Sequence, residues 1–331
     1  MRSTRLGASD LEVSRIALGT MTFGWEASRE ESFAILDAYA EAGGNFLDTA
    51  DVYSNGASEE ILGEWLRGRD RDRFVVATKG RFPVAGQPSA LSKEYLDGAL
   101  DASLRRLGLD HVDLYQAHAP DSRHALAEFA EFLEGAYRSG KVRYGGVSNM
   151  TAAHLVELHL AERELGIPHI IALQPQYSLL VRDVELEILP TAQLLGIGSI
   201  AWGPLAAGWL TGKYVRDAPP PEGSRLGDDP ERGVEAWSKR GTEQTWSVLE
   251  VLERVAREAG QTQAVVSLAW LLSRPGLSSA IVGARSVDQL TGTVGASDVD
   301  IDPALLEQLS AVSAPELPGY YALMAQNARQ H

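Results

Sequence analysis

"LDTADVYSNGASEE", residues 47–60, closes an apolar run on a carboxylate, Asp48, then sets a phenol, Tyr53, among small polar residues with no neighbour to pack on. It reads as the end of a buried strand, a loop and the start of a helix. The same unit recurs along the chain. Short apolar runs begin at Ile16 ("IALGT"), Asn45 ("NFLDTA"), Phe74 ("FVVATK") and Val112 ("VDLYQAH"), then at Val142 ("VRYGGVSN"), Ile170 ("IIALQPQ"), Gly198 ("GSIAW") and Ser279 ("SAIVGA"). Most starts lie roughly thirty residues apart, the length of a strand, a crossover helix and two loops.

Between the runs the apolar period becomes helical. Ser28 and Glu31 form a capping box ahead of Phe33, Leu36 and Ala40. Ser92 precedes a stripe of Leu96, Leu100, Leu104 and Leu107, and similar stripes occupy 124–138, 152–165 and the stretch after Thr242 (Trp246, Leu249, Val255). Eight buried strands alternating with helices predict an α/β fold, a (β/α)8 TIM barrel in which residues 1–331 form one domain. A doubly wound open sheet is the rival, but "GTMTFG" after the first run is not the G-x-G-x-x-G turn of that fold. Two additions are expected. Residues 3–15 read as an N-terminal β-hairpin closing the bottom of the barrel. After the seventh strand, Gly203–Gly241 forms a long loop rich in Pro, Gly and charge, without periodicity: a lid, a binding loop or a disordered stretch.

Composition removes several function classes. The chain has 331 residues, 44% hydrophobic and 23% charged, and a net charge of −15, which argues against nucleic acid or an anionic membrane as partner. It has no cysteine, so disulfides, thiolate nucleophiles and cysteine metal sites are excluded. "MRSTRLGASDLEVSR" lacks the apolar core of a signal peptide, and the longest apolar run, 264–272, is short for a membrane span. A soluble, cytoplasmic protein is expected, with no metal, since the remaining histidines are read as having no i, i+4 pairing with a carboxylate.

In such a barrel the active site lies at the C-terminal strand ends. Those ends carry Gly19 and Thr20, Asp48 with Tyr53, Lys79, His118, Ser148 and Asn149, Gln174, Trp202 and Gly283. A carboxylate, a phenol, an amine and an imidazole from successive strands make a coherent acid. The ammonium would lower the phenol's pKa, the carboxylate would keep the ammonium charged, and a neutral imidazole would orient a carbonyl oxygen. This set holds no hydride source, so a cofactor must supply one.

At this point the residues resemble a known family. "LDTADVYSNGASEEILGEWL", "VVATK", "LYQAH", "GGVSN", "LQPQYSLL" and "GPLAAGWLTGKY" are similar to the aldo-keto reductase superfamily across essentially the whole chain. The resemblance implies a barrel that reduces aldehydes or ketones with NADPH, and a tetrad of Asp48, Tyr53, Lys79 and His118 with Tyr53 as acid. It implies nicotinamide contacts from Ser148, Asn149 and Gln174, with Trp202 stacking where the family usually has tyrosine. Gly19, Thr20 and Met21 would also meet the cofactor. Gly203, Leu205, Gly208 and Lys213 fall where the family's loop crosses the pyrophosphate, and Gly283, Arg285 and Gln289 at its adenosine end. The family often has asparagine where Thr293 stands and lysine where Gly283 stands, so NADH remains a possible cofactor beside NADPH.

Trp25 and Phe82 follow the first and third strands and are substrate-wall candidates, with a purely structural role as the competing reading. Taken alone, Asp48, Lys79 and His118 would each read as structural; their conjunction favours chemistry. Two other classes stay open. A strand-end lysine suits a Schiff-base aldolase, though Asp48 would keep Lys79 charged. Some relatives of such enzymes resemble channel-associated, nicotinamide-binding regulatory subunits. The loops 80–91, 119–123 and 203–241 leave the small-molecule carbonyl substrate open among sugars, simple aldehydes and ketones, and the oligomeric state is likewise open.

Overall fold

The computed structural model describes every residue except Ala85, Gln87, Pro88, Ser89, Pro168, His169 and 329–331, with 325–328 described as backbone only. Part of the 80–91 loop, named above as a pocket wall, therefore lies outside the described residues. Strands β1 (Ser3–Arg5) and β2 (Glu12–Ser14) pair antiparallel as the expected hairpin. Then follow β3 (Ile16–Gly19), β4 (Phe46–Asp48), β5 (Val75–Gly80), β6 (Val112–Ala117), β7 (Val142–Ser148), β8 (Ile170–Gln174), β9 (Gly198–Ala201) and β10 (Leu277–Gly283). These eight are parallel and close on themselves, β10 pairing with both β9 and β3. The TIM barrel is the observed fold.

Period-two alternation along these strands sorts side chains into two cores. Ala17, Phe46, Ala77, Leu114, Ala172, Ile200 and Ile281 fill the interior. Outward-facing residues meet the helical stripes: Leu96, Leu100, Leu104 and Leu107 are all buried on helix Lys93–Leu107. The caps form as well. Ser28 and Glu31 make a reciprocal box, the Ser92 side chain accepts from the Tyr95 amide, and Thr242 caps helix Glu243–Glu258.

The hairpin plugs the N-terminal end of the barrel, where Leu6, Leu11 and Val13 join the interior core beside Phe46, Val75 and Ile171. Its turn needs glycine. Gly7 has φ +58°, and a Cβ there would lie 2.6–2.7 Å from three backbone atoms of Gly196, Gly198 and Ile171.

The segment 203–241 departs from the aperiodic loop. It contains four short helical turns, Ala206–Thr211, Arg225–Asp228, Gly233–Glu235 and Trp237–Arg240. Single aromatics organise it. Buried Trp209 stacks on Trp237 at 4.6 Å and meets Tyr214 and Trp246 edge-on at 5.2 and 5.4 Å, while its indole N–H donates to the Glu235 carbonyl at 3.1 Å. Such a cluster leaves no period in the sequence. Among the described residues no helix is long and apolar enough to cross a membrane.

Candidate active site

Asp48 is the last residue of β4, so its carboxylate leaves the barrel at the rim while its backbone still pairs. The chain then turns sharply. Ser54 and Asn55 adopt left-handed conformations (φ 47° and 56°), and the Ser54 hydroxyl donates to the Phe23 carbonyl at 2.7 Å. This pinned turn brings Tyr53 back over the barrel mouth. The phenol is not without neighbours: its ring lies edge-on to His118 at 5.7 Å, with the Lys79 ammonium 4.8 Å from its centroid.

Lys79, from β5, is completely buried and has three acceptors for its three N–H groups. They are Asp48 Oδ2 at 2.7 Å, the Thr49 carbonyl at 2.8 Å and the Tyr53 hydroxyl oxygen at 3.2 Å. Because the phenol oxygen accepts from lysine, its own proton stays available to a third group. Burial alone would lower the lysine's pKa, but the adjoining Asp48 carboxylate, with the phenol, raises it above its ordinary value. Lys79 is a fixed ammonium.

The Lys79 ammonium lowers the pKa of Tyr53 as expected, but it does not set the net direction. Burial raises the phenol's pKa above its ordinary value, and the Lys79 charge only opposes this in part. His118 goes the other way: burial first, then Lys79 and Arg81, hold its pKa down to about 2, so the ring is neutral. Its Nδ1 is buried without a hydrogen-bond partner among the described residues, and Phe82 packs edge-on against the ring at 4.9 Å.

Gln116 on β6 is a site residue that sequence reasoning missed. Its Nε2 donates to Asp48 Oδ1 at 3.3 Å, and Gln174 Nε2 donates to the same oxygen at 2.9 Å. The signal was present two residues before His118, since β alternation sets both on the same side of the strand. Gln174 thus commits its Nε2 to the Asp48 carboxylate and to Gln116 Oε1, at 3.2 Å, while its side-chain carbonyl remains an acceptor at the groove. Asn149 is engaged too. With φ 59° its Nδ2 turns to the His118 carbonyl at 3.1 Å, and its Oδ1 accepts from Trp202 Nε1 at 3.0 Å. The Ser148 hydroxyl donates to the Gln174 carbonyl at 2.9 Å.

A groove of about 760 Å³ runs from Asp48, Tyr53 and His118 past Ser148, Asn149, Gln174 and Trp202 to the β10 end. Gly19, Met21, Phe82, Gly203, Leu205, Gly208, Lys213, Gly283, Arg285 and Gln289 also line it. Thr20 does not. It is fully buried, its hydroxyl bonded to Ser58 at 2.7 Å beneath the rim. Nor does Trp25, which is 62% exposed and lies over the Arg232 guanidinium at 4.2 Å.

At the far end Arg285 is held by Glu26 (3.6 Å), Asp228 (3.5 Å) and the Gly223 carbonyl (2.8 Å), and Glu26 also pairs with Arg232. The side chains of Lys213 and Arg225 line the groove with no hydrogen-bonded or ion-paired partner among the described residues, and the Arg225 Nε is buried. Burial lowers both pKa values, and each has a second cation near it, Arg285 and Arg232 respectively. Neither Arg225 nor Glu26 stands in a motif that a strand-end reading selects. Elsewhere His124 does pair with Glu128 one helical turn on, at 3.4 Å. Among the described residues no three His, Asp or Glu side chains converge as a metal site would require.

Comparison with known proteins fits this geometry. The model of the aldo/keto reductase family matches residues 15–314. Over 97% of this chain and the whole of the other, the sequence is 35% identical to a Bacillus subtilis protein named "Uncharacterized oxidoreductase YrpG". It is 34% identical to the L-glyceraldehyde 3-phosphate reductase of Escherichia coli, over 88% of this chain and 86% of the relative. It is 33% identical to a rice protein named "Probable voltage-gated potassium channel subunit beta", over 94% and 96%. Closed barrel, rim chemistry and matched length agree: the chain belongs to the aldo/keto reductase family.

Proposed function

We propose that the protein reduces an aldehyde or ketone to an alcohol with hydride from NADPH, Tyr53 serving as the general acid. The observation that carries this reading is the Asp48–Lys79–Tyr53 chain of hydrogen bonds, which ends on a phenol facing the groove with its proton unspent. Asp48, held by Gln116 and Gln174, keeps Lys79 oriented. Lys79 stabilises the phenolate left after proton transfer, which matters more because burial opposes that charge. Neutral His118 directs the substrate oxygen towards Tyr53.

A bound nicotinamide would supply the hydride. Trp202 offers a ring face for it, with Ser148 and Asn149 beside it. The donor set at the other end suits a diphosphate and a 2′-phosphate: the side chains of Lys213 and Arg225 are in no ion pair among the described residues, and Arg285 and the N-cap of helix Val287–Val294 adjoin them. Phe82 forms the substrate wall beside His118, and the entire chain acts as one catalytic unit. The absence of cysteine supports a cytoplasmic setting.

Two rival readings stand lower. A Schiff-base lysine needs a free amine, whereas Lys79 is a fully bonded ammonium. The names of the potassium-channel relatives favour a nicotinamide-binding regulatory subunit, yet the chemical apparatus is intact. Steady NADPH consumption with a panel of aldehydes, beside a fluorescence titration of NADPH, separates the cases. Binding without turnover would uphold the regulatory reading.

A further inference from the structure

Behind the tetrad lies a second carboxyl group, Asp51, two residues before the phenol. It is 1% exposed, and neither side-chain oxygen has a hydrogen-bond partner among the described residues. Its backbone amide donates to the Lys79 carbonyl at 3.1 Å, which ties the Tyr53 turn to β5. The Tyr115 hydroxyl, from β6, is likewise buried and unpartnered. Both groups converge on Gly80: a Cβ there would lie 2.2 Å from the Tyr115 hydroxyl and 3.5 Å from Asp51 Oδ2. A side chain at position 80 would collide with the Tyr115 hydroxyl, so glycine there leaves room for both groups.

The surrounding charges do not support an anion at Asp51. The fully buried Glu59 is an acid whose charge bears on Asp51, and it takes the Arg106 cation. Its Oε2 accepts from Arg106 Nε at 2.7 Å and its Oε1 from the Thr78 hydroxyl at 2.5 Å. Lys79 is committed to Asp48, Thr49 and Tyr53. Among the described residues, the phenols of Tyr53, Tyr95 and Tyr115 also feel the charge of Asp51. Two buried carboxyls that share one arginine cannot both be charged cheaply.

We propose that Asp51 is a positioning residue that works as a neutral carboxylic acid, and that its ionisation at rising pH slows carbonyl reduction by setting a negative charge behind Tyr53. The inference rests on the reading of Tyr53 as acid. Burial, then Glu59, push the Asp51 carboxyl up to about 7, and an anion there raises the phenol's own pKa. Loss of its proton to solvent therefore makes Tyr53 a poorer acid, and regaining it restores the rate.

The test has an arm that needs no turnover. Infrared difference spectra of the whole protein between about pH 6 and about pH 8.5 should show loss of a protonated-carboxyl stretch in the parent and not in Asp51→Asn. A parent without that band, or a variant that keeps it, overturns the proposal. In NADPH-linked reduction the parent rate should fall by roughly three- to tenfold over the same range, the size expected of up to one pKa unit. Asp51→Asn should lose the break near neutrality, and the same break in the variant would overturn the idea. Glu59→Gln removes the acid that raises Asp51 and leaves Arg106 in place, so it should move the break to lower pH; an unmoved or raised break counts against the proposal. If the infrared change is seen but no carbonyl is reduced, Asp51 is neutral as stated and the reductase reading is the one that fails.

Discussion

At Tyr53 two forces oppose each other: burial resists the phenolate, and the Lys79 ammonium favours it. An acid that must give up its proton only when an alkoxide forms benefits from that balance, because the phenol stays protonated at working pH. Tyr53→Phe keeps the ring against His118 and removes only the transferable proton. Reduction should fall by ~10²–10⁴-fold while NADPH affinity, read by fluorescence, stays within a few-fold of the parent. Turnover close to the parent's would end the assignment of Tyr53. Lys79→Met should be as damaging, but it also strands a buried carboxylate, which costs about 3–5 kcal/mol. A melting curve must therefore accompany its rate, and a stable variant with normal turnover would refute the role of the ammonium. His118 titrates near 2 in the fold against about 6.5 unfolded, so the unfolded chain binds the extra proton. Its neutrality thus favours the fold above about pH 6.5, and that contribution is lost as pH falls towards 2. His118→Gln should therefore lose less stability than the parent between about pH 7.5 and about pH 5. Parallel melting curves across that range would show that His118 is not held neutral.

The elements around the groove are joined by a clasp that spans three loops. Glu26 follows β3, Arg232 belongs to the segment after β9, and Arg285 follows β10. Trp25 covers Arg232 from outside, and Asp228 and Gly223 hold Arg285 from the same segment. Exposed ion pairs contribute little, but Glu26 and Arg232 retain only 14% and 17% exposure, and they share one charge network. The clasp includes Arg285 and adjoins Lys213 and Arg225, the cations proposed to meet the cofactor's phosphates. Glu26→Gln should loosen it. Limited proteolysis within 213–232 should become several-fold faster, and NADP⁺ should protect the parent more than the variant. Equal cutting rates in parent and variant, with and without NADP⁺, would mean that aromatic packing around Trp209 alone holds the segment. This element was the least legible in the sequence. Its order comes from Trp209, Tyr214, Trp237 and Trp246 meeting from distant positions, a contact set that no local period encodes. The strands and stripes were legible because barrel strands are buried on both faces and the outer helices on one.

Across the whole molecule, the proposed chemistry and the packing of the hairpin occupy opposite ends of one barrel. That separation explains what the sequence disclosed. Strand ends such as Asp48, Lys79 and His118 stand out because a polar residue closing an apolar run is visible in one dimension. Gln116 and Asp51 lie within or beside the same stretches, yet their roles depend on which neighbours the closed sheet brings to them. Arg225 and Glu26 acquire meaning only when β3, β9 and β10 close the ring. The far end offers the converse case, a region with packing and no proposed chemistry. Leu6 is fully buried beneath the barrel interior, and Gly7 combines φ +58° with three backbone atoms where a Cβ would stand. Leu6→Ala should cost about 2–5 kcal/mol by leaving a cavity under Phe46 and Val75. Gly7→Ala should cost more than about 1 kcal/mol, since the left-handed backbone and the crowding both resist a side chain. Neither touches the rim, so the rate per folded molecule should stay within about twofold at low temperature. Urea titrations set beside turnover at matched folded fraction make the comparison. A rate that falls with the hairpin variants while the folded fraction is held would mean that the plug governs the geometry of the mouth, and that the two ends are not independent.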